Sequence, residues 1–132
     1  MSQLLLKRLL GVVALLQPLL AAGQPAGDPV AGRAAFGPCV RCHAVGPAAR
    51  HGFGPHLNQL QGRRAGSLGD YAYSEAMRKS GLVWDAATLY KYIKDPSGTV
   101  PGTKMRFMGF GYDERKIADL LAYLQRQQGP AP

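Results

Sequence analysis

The stretch Cys39-Val40-Arg41-Cys42-His43 decides how the rest of this chain is read. Two thiols separated by two residues can be reached within one turn of chain, and a histidine follows the second directly. This is the C-x-x-C-H signature of covalent haem attachment. The spacing has a physical reason. The thiols add to the two vinyl groups of the porphyrin, and the adjacent histidine meets the iron on one axial side. Thioether bonds make such a cofactor part of the polypeptide, so its burial contributes to folding and it cannot dissociate.

Competing readings of the motif are weaker. A thioredoxin-like pair belongs beside a strand in a βαβ unit, and no strand pattern appears. A zinc site could recruit His51 or His56. Their separation from Cys42 is short for a finger, and there is no second C-x-x-C. A plain disulfide is chemically open in an oxidising compartment. The chain has only these two cysteines, however, and the histidine directly after them favours haem.

Upstream of the motif, residues 1–23 read as a secretory signal peptide. Lys7-Arg8 supply the charged start, Leu9 to Leu16 the short apolar run, and Ala21 and Gly23 the small residues before cleavage. The run is broken by Gln17-Pro18, whereas a spanning helix needs about 20 apolar residues. An uncleaved leader would instead tether the domain to a membrane. No cysteine lies near the cleavage point to carry a lipid anchor. A periplasmic or otherwise exported location is therefore expected, and C-x-x-C-H haem attachment is generally completed outside the cytoplasm.

Residues 24–28 form a short lead-in, and 29–132 one domain. Asp28-Pro29 looks like an N-cap followed by proline at the first helical position, opening a helix that stops at Gly37-Pro38. Cys39 to Asp70 carries Gly, Pro and Arg without periodicity and reads as loop. Tyr71 to Ser80 is expected as a short helix closed by Gly81. Asp85 caps a clearer one, with Leu89, Tyr92 and Ile93 on one face and Pro96 as its stop. Val100 to Tyr112 returns to loop. Asp113 caps the last helix, where Ile117, Leu120, Leu121 and Leu124 form a stripe at i, i+3, i+4 and i+7. The class is all-α: few helices, and long loops wrapped around one covalent haem. Loops of this length need something to wrap, and a chain with 17 Gly and 10 Pro has a thin core of its own.

What fills the second axial side separates a carrier from a catalyst. A vacant site admits small ligands, whereas a thioether completes the coordination sphere and raises the potential. Met77, Met105 and Met108 follow the motif. Met77 reads as core packing. Met105 sits in a Pro/Gly-punctuated loop between the last two helices, far enough along to close over the opposite haem face. Met108 is its competitor in the same loop.

Taken together, Cys39-Val40-Arg41-Cys42-His43, Gly54-Pro55, Gly81-Leu82-Val83-Trp84 and Pro101-Gly102-Thr103-Lys104-Met105 strongly resemble class I cytochrome c, in its mitochondrial and bacterial periplasmic branch. The likeness runs from about Gly32 to Leu124. It implies one haem c, first and last helices crossing at Gly32/Phe36 against Leu120/Tyr123, and His43 and Met105 as axial ligands. It further implies that the Pro55 carbonyl orients the histidine. Tyr73, Trp84 and Thr103 would donate to haem propionates, Arg63 would offset their charge, and the Tyr92 hydroxyl would lie near the methionine sulfur. His51 matches a loop histidine that ties backbone segments together. Two departures stand out. Met77 replaces an asparagine of a buried polar network, and Ser97-Gly98 and Gly111-Tyr112 replace docking lysines.

The function implied is single-electron carriage between redox partner proteins by a monomer, not enzymatic turnover. The haem edge near Lys104 would be the docking face, with Arg41, Arg50 and Arg106 compensating in part for the missing lysines. The alternative is a haem protein with a labile sixth ligand and peroxidase-like or small-ligand-binding activity. The net charge of +8 is scattered, and no nucleic-acid motif accompanies it.

Overall fold

The computed structural model describes residues 26–129. The expected signal peptide and the last three residues lie outside the described part. Five α-helices occur: α1 (Pro29–Ala35), α2 (Glu75–Lys79), α3 (Ala86–Lys94), α4 (Pro96–Thr99) and α5 (Glu114–Gln125), with a 3-10 turn at Gly37–Arg41 after α1. Among the described residues there is no strand, only an isolated bridge between Arg64 and Val83.

Each longer helix starts where its cap residue says it should. The Asp28 carboxylate accepts from Val30 N–H at 2.8 Å, with Pro29 at the first helical position. Asp85 accepts from Thr88 N–H while the Thr88 hydroxyl accepts from Asp85 N–H, a reciprocal pair that satisfies two otherwise orphaned donors. Asp113 accepts from Lys116 N–H. The expected helix over residues 71–80 is shorter. Ser74 caps it at Met77 N–H, so Tyr71 to Tyr73 stay in the preceding loop. Pro96 does end α3, but it also opens α4, because Asp95 accepts from Gly98 N–H and proline suits a first turn. Cys39 begins no loop; it lies inside the 3-10 turn.

The architecture turns on the crossing of α1 and α5. A Cβ on Gly32 would overlap the Asp119 carbonyl oxygen and sit 2.8 Å from Tyr123 Cβ, so only glycine admits the two backbones this close. Phe36 packs its ring on Tyr123 with centroids 5.6 Å apart. Asp119, buried in the contact, accepts from Asp28 N–H at 2.7 Å and meets Arg115 at 3.2 Å. The α5 stripe Ile117, Leu120, Leu121 and Leu124 is buried and joins Leu89, Tyr92 and Ile93 of α3 in one apolar cluster with Trp84, Met77 and Tyr112. Met77 thus packs in the core, as its sequence context implied.

Gly32→Ala gains helix propensity yet forces the crossing apart. Overpacking should win, with a net loss of about 1–3 kcal/mol. Denaturant unfolding of the haem-loaded protein measures it, and an unchanged midpoint would show the crossing to be more yielding than its geometry implies.

Candidate haem site

The turn after α1 gathers the motif. Cys42 N–H and His43 N–H both donate to the Cys39 carbonyl, at 3.1 and 2.9 Å, which closes the motif into one turn. Both cysteines are free thiols, Cys39 half-buried and Cys42 exposed. Burial, helped by the nearby Cys42, pushes the Cys39 thiol up to about 11 from 9.0. A redox-active or metal-binding cysteine sits where its thiolate is favoured, and here the reverse holds. Such a site suits a neutral sulfur, as in a thioether.

The segment that orients His43 is itself tied to the motif. Gly54 N–H donates to the Cys42 carbonyl at 2.8 Å and Leu57 N–H to the Ala44 carbonyl at 3.0 Å. Between these anchors the Pro55 carbonyl faces His43 Nδ1 at 2.7 Å. A carbonyl can only accept, so Nδ1 carries the proton and Nε2 keeps its lone pair for a metal. Gly54 permits this geometry: a Cβ there would run into the imidazole, 2.7 Å from Nδ1 and 2.9 Å from Nε2. Burial holds the His43 pKa below its ordinary 6.5, the Pro55 bond opposing that shift.

Further along the chain, Arg63 and Trp84 are brought together by backbone pairing. Trp84 N–H donates to the Arg63 carbonyl at 2.9 Å, Gly62 N–H to the Trp84 carbonyl at 2.7 Å, and Ala65 N–H to the Leu82 carbonyl at 2.8 Å. Arg63 spends Nη1 on the Asn58 carbonyl at 2.9 Å and Nη2 on the His56 carbonyl at 3.3 Å. Its buried Nε has no partner among the described residues, and none of the carboxylates there pairs with it. Burial lowers its pKa, the Tyr73 hydroxyl opposing. An arginine in this state is the counterpart of an anion.

Tyr73 is half-buried, edge-on to Tyr71 at 4.8 Å between centroids. Trp84 is buried against Tyr92, centroids 5.0 Å apart. The Tyr92 and Thr103 hydroxyls share a 2.6 Å hydrogen bond, and Thr103 Oγ1 also accepts from Met105 N–H at 3.3 Å. The resemblance gave Tyr92 and Thr103 separate duties; here they bond to each other, and Thr103 alone reaches the backbone of Met105. Met105 is half-buried against the core, whereas Met108 is 66% exposed. Lys104, exposed, donates to the Ala72 carbonyl at 2.9 Å.

His51 fastens the same loop. Its Nδ1 accepts from His56 N–H at 3.1 Å, its Nε2 donates to Asp70 at 2.8 Å, and its ring stacks on that of His56 at 4.9 Å. Sequence reasoning weighed His56 only as a zinc ligand and missed Asn58; His56 Nδ1 is buried with no partner among the described residues. Asn58 accepts from Gly46 N–H at 2.7 Å and donates to the Gly46 carbonyl at 2.9 Å, clamping the loop beyond His43. Asparagine beside a basic loop carries no spacing signal that would have exposed it.

The donor set fits haem on three counts: an imidazole with its outer nitrogen occupied, two free thiols within one turn of it, and a half-buried guanidinium whose buried Nε has no partner among the described residues. An all-α fold with this site defines a protein that holds one haem covalently and exchanges electrons through it. Residues 29–128 match the Cytochrome c family. Cytochrome c2 of Rhodomicrobium vannielii is 48% identical over 83% of this chain and 86% of its own length. Cytochrome c-550 of Bradyrhizobium diazoefficiens is 45% identical over 73% and 70%. The structure of cytochrome cH from Methylobacterium extorquens superposes with a TM-score of 0.68 at 45% identity, covering 74% of this chain and 97% of that one. The chain belongs to the cytochrome c family. It is a monohaem electron carrier with one covalently bound haem c, and it exchanges single electrons with redox partners.

The loop carries an acid liability. His56 is held below its ordinary 6.5 by burial and then by the charges of Arg63 and His51, so the unfolded chain takes up its proton more readily than the folded one. Stability is therefore fully present above pH 6.5 and falls as pH drops from there through the lowered value. Asp70, held below 3.8 chiefly by His51, adds a loss at still lower pH. His56→Gln should flatten the first decline in a series of denaturation midpoints against pH; a slope equal to the parent's would contradict the assignment.

Proposed function

We propose that Cys39 and Cys42 carry the haem, that His43 and Met105 are its axial ligands, and that the protein works as an exported monomer docking through the edge near Lys104. The observation that carries the reading is the Pro55 carbonyl on His43 Nδ1, which leaves Nε2 as the ring's metal-binding nitrogen. For the opposite side the support is directional: Met105 turns inward while Met108 faces solvent. Bound haem iron supplies the redox chemistry, taking up and releasing one electron between its ferric and ferrous states.

The chain's residues then hold the geometry constant through that exchange. Pro55 fixes the plane of the imidazole, and Thr103, itself bonded to Tyr92, holds the backbone of Met105. Arg63, with Trp84 and Tyr73, balances the propionates from the buried side. Cytochrome c2 and c-550 relatives support carriage over ligand activation. Export rests on the charged start, apolar run and small residues of 1–23. No helix among the described residues is long and apolar enough to cross a membrane.

Met105→Ala should open the sixth position, lower the reduction potential and admit carbon monoxide rapidly, while Met108→Ala leaves all three unchanged. The ferric spectrum and a redox titration decide it, and the opposite pattern would transfer the ligand role to Met108. Lys104→Glu should slow association with an acidic redox partner and weaken its salt dependence, read by stopped flow across ionic strengths. Identical rates would move the docking face elsewhere.

A further inference from the structure

Tyr112 closes the segment that carries Met105, and no feature of the sequence marks it as more than a substituted lysine position. It is held at every polar atom it has. Its buried hydroxyl donates to the Ala35 carbonyl at 2.5 Å, across 77 positions of sequence. Its N–H donates to the Gly109 carbonyl at 3.1 Å, and its own carbonyl accepts from Lys94 Nζ at 3.0 Å. Its ring is engaged too: Phe107 stands edge-on at 5.1 Å between centroids, and Lys116 Nζ lies over it at 4.3 Å.

The partners give these contacts their meaning. Ala35 is the last residue of α1, whose terminal carbonyls lack partners within the helix. The chain passes from Ala35 through Phe36 directly into the turn holding Cys39, Cys42 and His43. Phe107 lies two residues beyond Met105. In this stretch exposure alternates, with Lys104, Arg106, Met108 and Phe110 outside and Met105, Phe107 and Gly109 turned in. Gly109 is confined as well, since a Cβ there would lie 2.6 Å from the Ile93 carbonyl oxygen. Tyr112 therefore joins the segment bearing one proposed ligand to the base of the turn bearing the other, without touching either.

We propose that Tyr112 is a positioning residue that holds Met105 at the sixth coordination position by locking Phe107 and tying the loop to the end of α1. This rests on Met105 being the ligand. Loss of the hydroxyl leaves the Ala35 carbonyl buried and unpaired and frees the loop to swing outward. Nothing in the tie requires a change of iron oxidation state, so it acts on both.

The test uses the haem-loaded protein and two exogenous probes, imidazole for the ferric form and carbon monoxide for the ferrous form. Tyr112→Phe keeps the ring and removes the bond. A hydrogen bond of ordinary net worth implies roughly three- to tenfold tighter imidazole binding and comparably faster uptake of carbon monoxide. Lys94→Met, which removes only the grip on the Tyr112 carbonyl, should move both in the same direction. The thermal midpoint is recorded alongside. A lowered midpoint with unchanged ligand displacement in both variants would make Tyr112 merely a stabilising residue and overturn the proposal. Met105→Ala separates the two layers. If it loses the sulfur-to-ferric-iron charge-transfer band while Tyr112→Phe displaces normally, only the strut fails. If it keeps the band, the ligand assignment fails and takes the strut with it.

Discussion

The close approach of α1 and α5 at Gly32 is the constraint on which the rest of the molecule depends. Short helices cannot stabilise themselves in water, and α1 has only seven residues. Pressed against the twelve-residue α5, it becomes a fixed platform. The chain leaves that platform straight into the turn of Cys39 to His43, so the direction of the motif is set by a helix crossing. The Asp119 carboxylate contributes a polar bond at the same contact, to Asp28 N–H at the start of α1. One side chain on α5 thus ties down the cap of α1, and the glycine of α1 lets α5 come near enough to do it.

Outside the crossing, the long loops meet their hydrogen-bonding needs through a few multidentate residues. Asn58 clamps Gly46 with both ends of its amide, His51 bridges His56 and Asp70, and Arg63 holds two carbonyls of the same loop. Buried backbone groups without partners are costly, and irregular segments cannot pair them internally as helices do. The buried side-chain atoms left without partners among the described residues are Arg63 Nε and His56 Nδ1. The unpartnered Arg63 Nε suits an anionic guest beside this loop system.

Much of this was legible in the sequence because the signals were local. Asp28-Pro29, Asp85 and Asp113 are caps whose side chains bond within three residues, and the α5 stripe follows from helical period alone. Cys39, Cys42 and His43 are contiguous, so their meeting needed no fold. Long-range facts were not legible from pattern. That Gly32 faces the Asp119 carbonyl, that Arg63 and Trp84 share a backbone ladder, and that Tyr112 reaches Ala35 all depend on where distant segments come to rest. Ser74 displaced the start of α2 because its hydroxyl competes for the Met77 N–H, a local effect that the broader apolar pattern of 71–80 masked. Pro96 had two meanings, and the one for the following turn was hidden behind the one for the preceding helix.

The two proposed ligands are held by different physics, and that difference bears on function. His43 directly follows Cys42, bonds the Pro55 carbonyl and has Gly54 against its ring. Met105 is held at one remove, through a hydroxyl on its N–H and through neighbours that are themselves tied to α1 and α3. A sulfur donor bonds iron more weakly than an imidazole does, so the loop must supply the order that the bond does not. If the loop moved with each change of oxidation state, every transfer would carry the cost of rearranging it. Restraints distributed over Thr103, Phe107 and Tyr112 would keep the geometry common to both states, the condition under which a carrier exchanges electrons quickly in either direction.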